Sequence, residues 1–562
     1  MKRIIECVPN FSEGRDVTII KQITDEIDKV SGVKLLDVDP GQATNRTVVT
    51  FAGDPDSVVE AAFMAVKKAS EIIDMSKHKG AHPRFGATDV CPLIPISGIT
   101  MEETVEYARR LAARIGQELN IPVYCYEYAA FKPDRKNLAN VRSGEYEGLK
   151  EKLSNPEWKP DFGPAEFNAR SGVTAVSARD FLVAFNVNLN TTSTRRANSI
   201  AFDVRETGRV KTENGKPDGK PILDKQGNPV YIPGKLKSVK AIGWYIEEYG
   251  IAQISINLTN INVTPVHVAF DEVCKSATKR GIRATGSELV GLIPLKSMLD
   301  AGRFFLKKQQ RSTGVSDQEL IRIAVKSLGL DDLYKFKPEE KIIEYVIADK
   351  AEKKLVDLTC IGFTNETASE SPAPGGGSVS ALVGSLGISL GIMVANLSSH
   401  KRGWDERWEE FSDWADKGRV YLDKLIYLVD EDTRAYNRIF EAFSLPKNSV
   451  EEKAARSKVI QDATRYAIEV PFQVMKTTID AMPVIKAMAE YGNPNSASDA
   501  GVGSLCALAA IKGAYLNVKI NSSSLKDKEY VNKVIEEGVR IVKQAEKLQE
   551  ETIAIVEKNI KV

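Results

Sequence analysis

Two of the chain's four histidines lie four residues apart in a charged loop. The segment runs His78-Lys-Gly-Ala-His82-Pro-Arg84-Phe-Gly-Ala-Thr-Asp89. Its glycines and proline force an irregular backbone, and an imidazole both accepts and donates a proton near neutral pH. A histidine held on such a loop is a candidate general acid and base. From residue types alone, a hydrogen-bonding or capping role stays open for both histidines.

A second group of candidate acids lies far along the chain, in Leu428-Val-Asp430-Glu-Asp432. Two residues apart on a helix, Asp430 and Asp432 point to different faces, and an acidic run by itself indicates a solvated helix face. Upstream, Pro374-Gly-Gly-Gly-Ser378 opens an apolar helix. Backbone N–H groups at the N-terminus of a helix can bind anions. The glycine spacing, however, fits neither the GxGxxG nor the Walker nucleotide-binding motif.

The ordered motifs of this chain resemble those of the formiminotransferase-cyclodeaminase family over essentially the full length. The histidine loop is similar to the active-site stretch of glutamate formiminotransferase. The other motifs are Glu6-Cys-Val-Pro-Asn-Phe-Ser-Glu-Gly14, Leu36-Asp-Val-Asp39-Pro-Gly41 with Asn45-Arg46, Phe162-Gly-Pro164, Ala184-Phe-Asn-Val-Asn188, Gly243-Trp-Tyr245, Gly286-Ser-Glu-Leu-Val-Gly291 and the two C-terminal motifs above.

The resemblance implies transfer of a formimino group from N-formimino-L-glutamate to N5 of tetrahydrofolate. One imidazole between the two nitrogens can serve both as base and as acid, and the resemblance assigns this role to His82. Asp39 ends a predicted strand, where it either orients His82 or caps the turn before Pro40. Arg46 and Arg84 are candidates for binding substrate carboxylates.

A glycine-bounded loop after residue 162 resembles the folate-binding stretch of the family. Its aromatic and polar side chains suit a planar pterin. The predicted binding residues are Gly163, Pro164, Ala165, Glu166, Phe167, Asn168, Ala169, Arg170, Ser171 and Gly172.

The second reaction that the resemblance implies cyclises 5-formiminotetrahydrofolate to 5,10-methenyltetrahydrofolate and releases ammonia. A carboxyl group in a partly desolvated cleft can protonate the leaving nitrogen. The position in the motif selects Asp430, with Asp432 as the alternative. Two other hypotheses stay open, which are formyl transfer between 5-formyltetrahydrofolate and glutamate on the same sites, and a non-catalytic folate-binding scaffold.

Composition and family resemblance set the expected partners. No His, Cys or Glu cluster has metal-ligand spacing, so we expect tetrahydrofolate, with a polyglutamyl tail, as co-substrate and no metal. A net charge of +1 argues against nucleic-acid binding, and six scattered cysteines indicate a reducing cytoplasm. The uncharged stretch 379–397 is rich in Gly and Ser, which predicts a buried bundle helix rather than a membrane span. The resemblance implies a homo-oligomer built from dimers.

The elements that position these residues follow from hydrophobic periodicity. Two α/β subdomains, at 1–180 and 181–328, alternate strands with helices, and the family resemblance implies ferredoxin-like sheets with substrate between them. We expect a linker at 329–355 and an all-helical cyclodeaminase domain at 356–562. A polar insert at 208–238 predicts an exposed hairpin.

Overall fold

A computed structural model describes residues 3–41, 45–80, 84–216, 219–348, 354–371 and 373–560. The chain divides into two compact units. Unit 1 comprises Met1–Met298 and Val325–Ala348, and unit 2 comprises Leu299–Ala324 and Asp349–Val562. Within the described ranges, every strand belongs to unit 1 and the regular structure of unit 2 is helical.

The strands are β1 (Ile4–Cys7), β2 (Asn10–Phe11), β3 (Val33–Gly41), β4 (Arg46–Gly53), β5 (Thr88–Ser97), β6 (Val123–Glu127), β7 (Thr174–Ala178), β8 (Val183–Leu189), β9 (Arg209–Val210), β10 (Tyr231–Ile232), β11 (Val239–Ile246), β12 (Ile251–Leu258) and β13 (Ala284–Val290).

The helices are α1 (Val17–Asp28), α2 (Pro55–Ile72), α3 (Met101–Glu118), α4 (Leu138–Arg142), α5 (Leu149–Ser154), α6 (Thr194–Val204), α7 (Val266–Thr278), α8 (Leu295–Lys308), α9 (Asp317–Leu328), α10 (Pro338–Lys341), α11 (Ile343–Val346), α12 (Cys360–Thr367), α13 (Gly376–Ser399), α14 (Trp408–Ser444), α15 (Val450–Tyr491), α16 (Ala497–Ser522) and α17 (Lys528–Asn559).

The first part of unit 1 is a seven-stranded sheet. Strands β1 and β2 follow one another in the same row of this sheet. On one side of this row lies β4 and then the edge strand β3. On its other side lie β5, β7 and β6, in that order. Helices α1, α2 and α3 cover one face, where Ile5, Cys7 and Phe51 are fully buried. Because successive side chains of a strand alternate, Glu6 points to the opposite face.

The second part of unit 1 repeats the same order of elements. Its four antiparallel strands lie in the order β11-β12-β8-β13, joined by α6 and α7. Phe185 of β8 packs edge-on against Phe270 of α7, with ring centroids 6.4 Å apart. Asn186 and Asn188 therefore lie on the face that the helices leave open.

The insert at 208–238 is a hairpin whose two short strands, β9 and β10, pair antiparallel. Leu223, Tyr231 and Ile232 are exposed on it. The predicted exposed hairpin is confirmed, while Pro217 and Asp218 lie outside the described residues.

Helix α13 lies at the centre of unit 2, packed against α14, α15 and α16. Glycines make this close packing possible. A Cβ on Gly387 of α13 would lie 2.8 Å from the Gly503 carbonyl oxygen of α16, and a Cβ on Gly503 would lie at the same distance from the Gly387 carbonyl oxygen. The helices at 376–399, 405–443, 449–490, 499–518 and 527–559 that the periodicity predicts are all present within a few residues.

Two helical segments in the described part of the chain are long and apolar enough for a membrane span by length and composition, Gly376–Ser399 and Pro494–Ser522. In the first, 61% of the apolar window is buried inside the protein, and in the second 44%. Core helices of soluble proteins pass the same test, so these segments are weak evidence for a membrane.

The expected boundaries of the subdomains differ from the boundaries of the two compact units. Residues 299–324, which we assigned to the second α/β subdomain, cluster with unit 2, and the expected linker joins unit 1 up to residue 348. The reason is visible at Ile342 and Ile343, which are fully buried. The backbone N–H of Ile343 donates to the carbonyl of Ile293, which fastens this stretch to unit 1.

Replacing Gly387 with alanine tests the close contact of α13 and α16. We expect the added methyl to force the helices apart and to lower the free energy of unfolding by about 1–3 kcal/mol, despite the better helix propensity of alanine. Urea unfolding followed by helical circular dichroism measures this loss.

The matched control is Gly362→Ala in the exposed helix α12, where the nearest atom is the flexible Thr359 hydroxyl at 3.2 Å. It should be neutral or slightly stabilising. Equal effects of the two substitutions would contradict the packing argument.

Candidate functional site

The catalytic loop predicted from the sequence is described only at its two ends. His82 lies outside the described residues, together with Ala81 and Pro83. On the N-terminal side, the Nε2 atom of His78 lies 2.8 Å from the carbonyl oxygen of Asn45, and His78 is buried. Asn45 itself donates from Nδ2 to the Lys79 carbonyl at 3.1 Å. Residues 78 and 79 are therefore fastened to the start of β4.

On the C-terminal side of this loop, Arg84 is held by several partners. Its Nε donates to Glu147 at 2.9 Å and its Nη1 to the Met75 carbonyl at 3.2 Å. The guanidinium carbon lies 4.7 Å from the ring centroid of Tyr146. Arg84 thus has a carboxylate partner within the protein, and its predicted role toward a substrate carboxylate stays a prediction.

Arg46 belongs to a cluster of two guanidiniums around one carboxylate. Asp89, whose side chain is 1% exposed, lies 3.0 Å from Nη2 of Arg46 and accepts from Nε of Arg142 at 3.2 Å and from its Nη2. Burial lowers the pKa of Arg46, which Asp89 opposes and Arg142 reinforces. The cluster carries one more positive than negative charge, which suits a carboxylate ligand.

Asp39 lies on β3 opposite Val48 of β4. Residues directly opposite in a sheet share a face, and Arg46 lies two residues before Val48. Asp39 is exposed. The structure therefore places Asp39 and the Arg46 cluster on the same face of the first sheet. Because His82 lies outside the described residues, the predicted contact of Asp39 with His82 stays a prediction.

The predicted folate loop is built on glycines and on the Asn168 amide. Gly163 and Gly172 have φ of 81° and 65°, which favours glycine. Oδ1 of Asn168 accepts from the backbone N–H groups of Arg170 and Ser171 at 3.1 and 2.9 Å. Between the glycines, Phe167 is 36% exposed. The loop is a fixed turn that presents an aromatic ring.

This loop is also joined to the predicted catalytic segment. The Tyr146 ring lies 5.5 Å from that of Phe167, and its hydroxyl donates to the Ala169 carbonyl at 2.5 Å. Since Tyr146 also contacts Arg84, it joins two stretches that the sequence predicted to be functional. Tyr146 and Arg142 were missed, because neither lies in a motif and only folding brings them to the site.

Glu6 is buried on the open face of the first sheet. Burial raises the pKa of its carboxyl to about 7, and the nearby Arg179 opposes that rise. Glu6 stands in the first motif of the chain but received no role from the sequence.

In unit 2 the two candidate acids have different partners. The Oδ1 of Asp430 accepts from the backbone N–H of Leu355 at 2.6 Å. The Oδ2 of Asp432 accepts from the backbone N–H and the hydroxyl of Ser378, at 2.9 and 3.2 Å. Burial raises the pKa of both carboxyls, which these hydrogen bonds oppose.

The glycine-rich motif and Asp432 form one structure. Gly375 is the N-cap of α13, and Ser378 lies in its first turn. A Cβ on Gly377 would overlap the Asp432 carboxylate, so only glycine lets this side chain reach the start of the helix. Asp430 instead fastens the chain entering the helical unit.

Three family models match the chain along most of its length. They are "Formiminotransferase domain, N-terminal subdomain" at 4–179, "Formiminotransferase domain" at 184–348 and "Formiminotransferase-cyclodeaminase" at 359–558. A mouse formimidoyltransferase-cyclodeaminase is 42% identical over 534 residues, 95% of this chain and 95% of that protein. The chain belongs to the formimidoyltransferase-cyclodeaminase family. The resemblance drawn from its motifs is confirmed.

Shorter proteins related to this family match parts of the chain. A glutamate formimidoyltransferase of Streptococcus pyogenes serotype M1 is 42% identical over 307 residues, 55% of this chain and 94% of that protein. A methenyltetrahydrofolate cyclohydrolase of Methylorubrum extorquens is 32% identical over 198 residues, 35% of this chain and 95% of that protein. Segments of the family thus also exist as separate proteins.

Within the described ranges, no group of three or more His, Cys, Asp or Glu side chains could hold a metal ion.

Glu6→Gln tests the buried carboxyl on the first sheet. The folded-state pKa of about 7 exceeds the ordinary 4.5, so the folded protein binds this proton more tightly than the unfolded chain. The stabilisation is present below about pH 4.5 and is lost as the pH rises to about 7. Between pH 5 and 8, the free energy of unfolding of the wild type should therefore fall by up to about 3 kcal/mol relative to that of the variant.

Urea unfolding at several pH values measures this difference. Glu102→Gln, at an exposed carboxyl in the first turn of α3, serves as the control and should follow the wild type. A constant difference between Glu6→Gln and the wild type across this pH range would contradict the burial argument.

Proposed function

We propose that this chain is a bifunctional folate enzyme of histidine degradation. It transfers the formimino group of N-formimino-L-glutamate to tetrahydrofolate, and then cyclises the product to 5,10-methenyltetrahydrofolate with release of ammonia. The observation that carries this proposal is the match to a formimidoyltransferase-cyclodeaminase over 95% of both chains. The charged groups on the first sheet and at the start of α13 supply the chemistry for each step.

In the first reaction, N5 of tetrahydrofolate attacks the formimino carbon. The carbon–nitrogen bond to glutamate then breaks, and the departing nitrogen receives a proton. His82 takes the N5 proton and returns it to the glutamate nitrogen, which requires an imidazole that cycles between two protonation states. Asp39, on the same face of the first sheet as Arg46, orients or stabilises this imidazole.

Recognition of the formiminoglutamate carboxylates falls to the Arg46 and Arg142 pair. Both guanidiniums share Asp89, and their side chains are 14% and 19% exposed. One net positive charge remains in a largely desolvated setting, where a charge-assisted hydrogen bond to a carboxylate is strong. The folate lies against the 163–172 loop and Phe167.

In the second reaction, N10 attacks the formimino carbon on N5, and the bond from this carbon to the imino nitrogen breaks. N10 loses its proton, and the leaving nitrogen gains the protons that release it as ammonia. We assign the proton donor to Asp432 rather than Asp430. Burial raises the pKa of both carboxyls, but the Asp432 carboxylate lies at the glycine-built start of α13, whereas Asp430 accepts from the Leu355 backbone N–H.

A second candidate function for the helical part is hydrolysis of the methenyl product. The cyclohydrolase match spans 198 residues, comparable with the family match at 359–558. The Asp432 carboxylate would then take a proton from the water that attacks the methenyl carbon. Ammonia release from formiminoglutamate separates the two activities, because hydrolysis of a methenyl group releases none.

We further propose several properties that follow from the family. Each α/β subdomain is ferredoxin-like, which the shared strand-helix order supports, and domain boundaries lie near 180, 328 and 355. The enzyme works in the cytoplasm as a homo-oligomer built from dimers, uses polyglutamylated tetrahydrofolate and needs no metal.

The test supplies formiminoglutamate and tetrahydrofolate and follows glutamate, ammonia and methenyltetrahydrofolate together. The wild type should form all three. His82→Ala should lower glutamate release by about 10²–10⁴-fold, because the acid and base are lost. Asp432→Asn should release glutamate at the rate of the wild type but slow ammonia release by about 10²-fold or more.

Asp430→Asn is the matched control, since it makes the same change two residues away on the same helix. It should keep most of the ammonia release. Loss at Asp430→Asn with retention at Asp432→Asn would reverse the assignment. A wild type that forms neither glutamate nor ammonia would contradict the proposed function, and formyl substrates and folate binding without turnover would be tested next.

A further inference from the structure

A cleft in unit 2 lies away from both candidate acids. It has a volume of about 480 Å³, and its walls are α13, α14 and the segment between α8 and α9. On α13, Ser389 lines the cleft thirteen residues after Gly376. On α14, Arg419 lines it thirteen residues before Asp432. Thirteen residues correspond to about 20 Å along each helix, so the cleft is separate from the Asp432 site.

Hydrogen bonds fix the segment that forms one wall of this cleft. The Ser312 hydroxyl donates to Oδ1 of Asn396 on α13 at 2.6 Å, and Nδ2 of Asn396 donates to the Gly314 carbonyl at 3.0 Å. A Cβ on Gly314 would lie 2.3 Å from the Cβ of Ala415 on α14, so only glycine lets the segment lie this close. These contacts hold the segment against both helices and give the cleft a fixed shape.

Two arginines bring positive charge to the cleft. Nη2 of Arg419 lies 2.8 Å from Oδ1 of Asp423, whereas its Nε is buried and has no hydrogen-bond partner within the described ranges. The Arg311 side chain makes no hydrogen bond or ion pair with the residues that the structure describes. A guanidinium has five N–H donors, so both side chains keep donors for a ligand.

The neighbouring acids do not neutralise this charge. Glu319 also lines the cleft, but its carboxylate accepts from Nε and Nη2 of Arg322 at 2.7 and 2.5 Å. These hydrogen bonds hold the pKa of Glu319 below its usual range, and the charge of Arg311 acts in the same direction. Burial and the charge of Arg311 lower the pKa of His400 in the same lining, so its imidazole is neutral at pH 7 and donates one N–H.

Much of the remaining lining is apolar. The α13 wall carries Ile392, Met393 and Leu397, and Leu422 lies on the α14 wall. Met393 and Leu397 are 36% and 48% exposed. A ligand with an apolar body would cover these side chains and remove apolar surface from water. An apolar lining with a few polar groups is typical of small-molecule sites.

We propose that this cleft binds a small organic anion with an apolar body. The carboxylate or phosphate head accepts hydrogen bonds from Arg311, from Nε of Arg419 and from His400. The apolar body lies against Met393 and Leu397. Inorganic anions and uncharged apolar molecules are poorer ligands, because each leaves one half of the lining without a partner.

Isothermal titration calorimetry on the full-length protein tests this site with octanoate and octyl phosphate as probes. Acetate and inorganic phosphate supply the head alone, while octanol and octylammonium supply the body without a negative charge. We expect octanoate or octyl phosphate to bind at one site per chain, about tenfold or more tightly than the other four probes. The tighter of the two shows whether the head is a carboxylate or a phosphate.

Two substitutions at exposed positions of the lining locate the bound anion. Arg311→Gln should weaken binding by about tenfold or more, because it removes a charge that no carboxylate holds. Leu397→Glu should abolish binding, since it places a like charge beside the head. Circular dichroism checks that both variants keep the fold. Arg540→Gln, whose side chain is 75% exposed on α17, is the matched control and should bind as the wild type does.

Three results would overturn the assignment. One is binding of octanoate or octyl phosphate that is equal in the wild type, Arg311→Gln and Leu397→Glu. Another is a wild type that binds octylammonium or octanol as tightly as octanoate and octyl phosphate, and the third is a wild type that binds none of the probes. The proposed function is tested separately, by the release of glutamate and ammonia.

Discussion

The alternation of side chains along a β-strand decides where this molecule can hold its charged groups. In each of the two larger sheets of unit 1 one face is buried under helices, so charged and hydrogen-bonding groups collect on the other face. Glu6, Arg46 and Asp39 follow this rule in the first sheet, and Asn186 and Glu288 follow it in the second. A register slip of one residue would exchange these groups with the core. The position of these charged and polar groups therefore depends on strand register.

In the helical unit, polar side chains are positioned by the ends of helices rather than by the face of a sheet. Every backbone group inside a helix is already satisfied, and unpaired N–H groups remain only in the first turn. Asp432 reaches such a group at Ser378, and Gly377 is the residue that leaves room for it. The burial that raises the pKa of Asp432 follows from this position. The position of the Asp432 carboxylate thus depends on a helix start, as the positions of the charged groups in unit 1 depend on a sheet face.

The sequence predicted the regular elements and the family well, because both follow from local patterns along the chain. Helices α13 to α17 and the polar insert follow from periodicity and turn residues. The partners of motif residues did not follow, since they come from distant parts of the chain. Arg142 reaches Asp89 from α4, and Tyr146 joins Arg84 to the folate loop. The contact of Asp432 with Ser378 is of the same kind, because no spacing rule brings these two residues together.

One chain performs both transfer and cyclisation. Formiminoglutamate labelled with ¹³C at the formimino carbon and with ¹⁵N at the imino nitrogen, mixed with tetrahydrofolate and the wild-type protein, tests it most directly by nuclear magnetic resonance. We predict that all ¹³C appears in 5,10-methenyltetrahydrofolate and all ¹⁵N in ammonia, with unlabelled nitrogen retained on glutamate. Both labels remaining together on one folate product, or on unreacted formiminoglutamate, would contradict the claim.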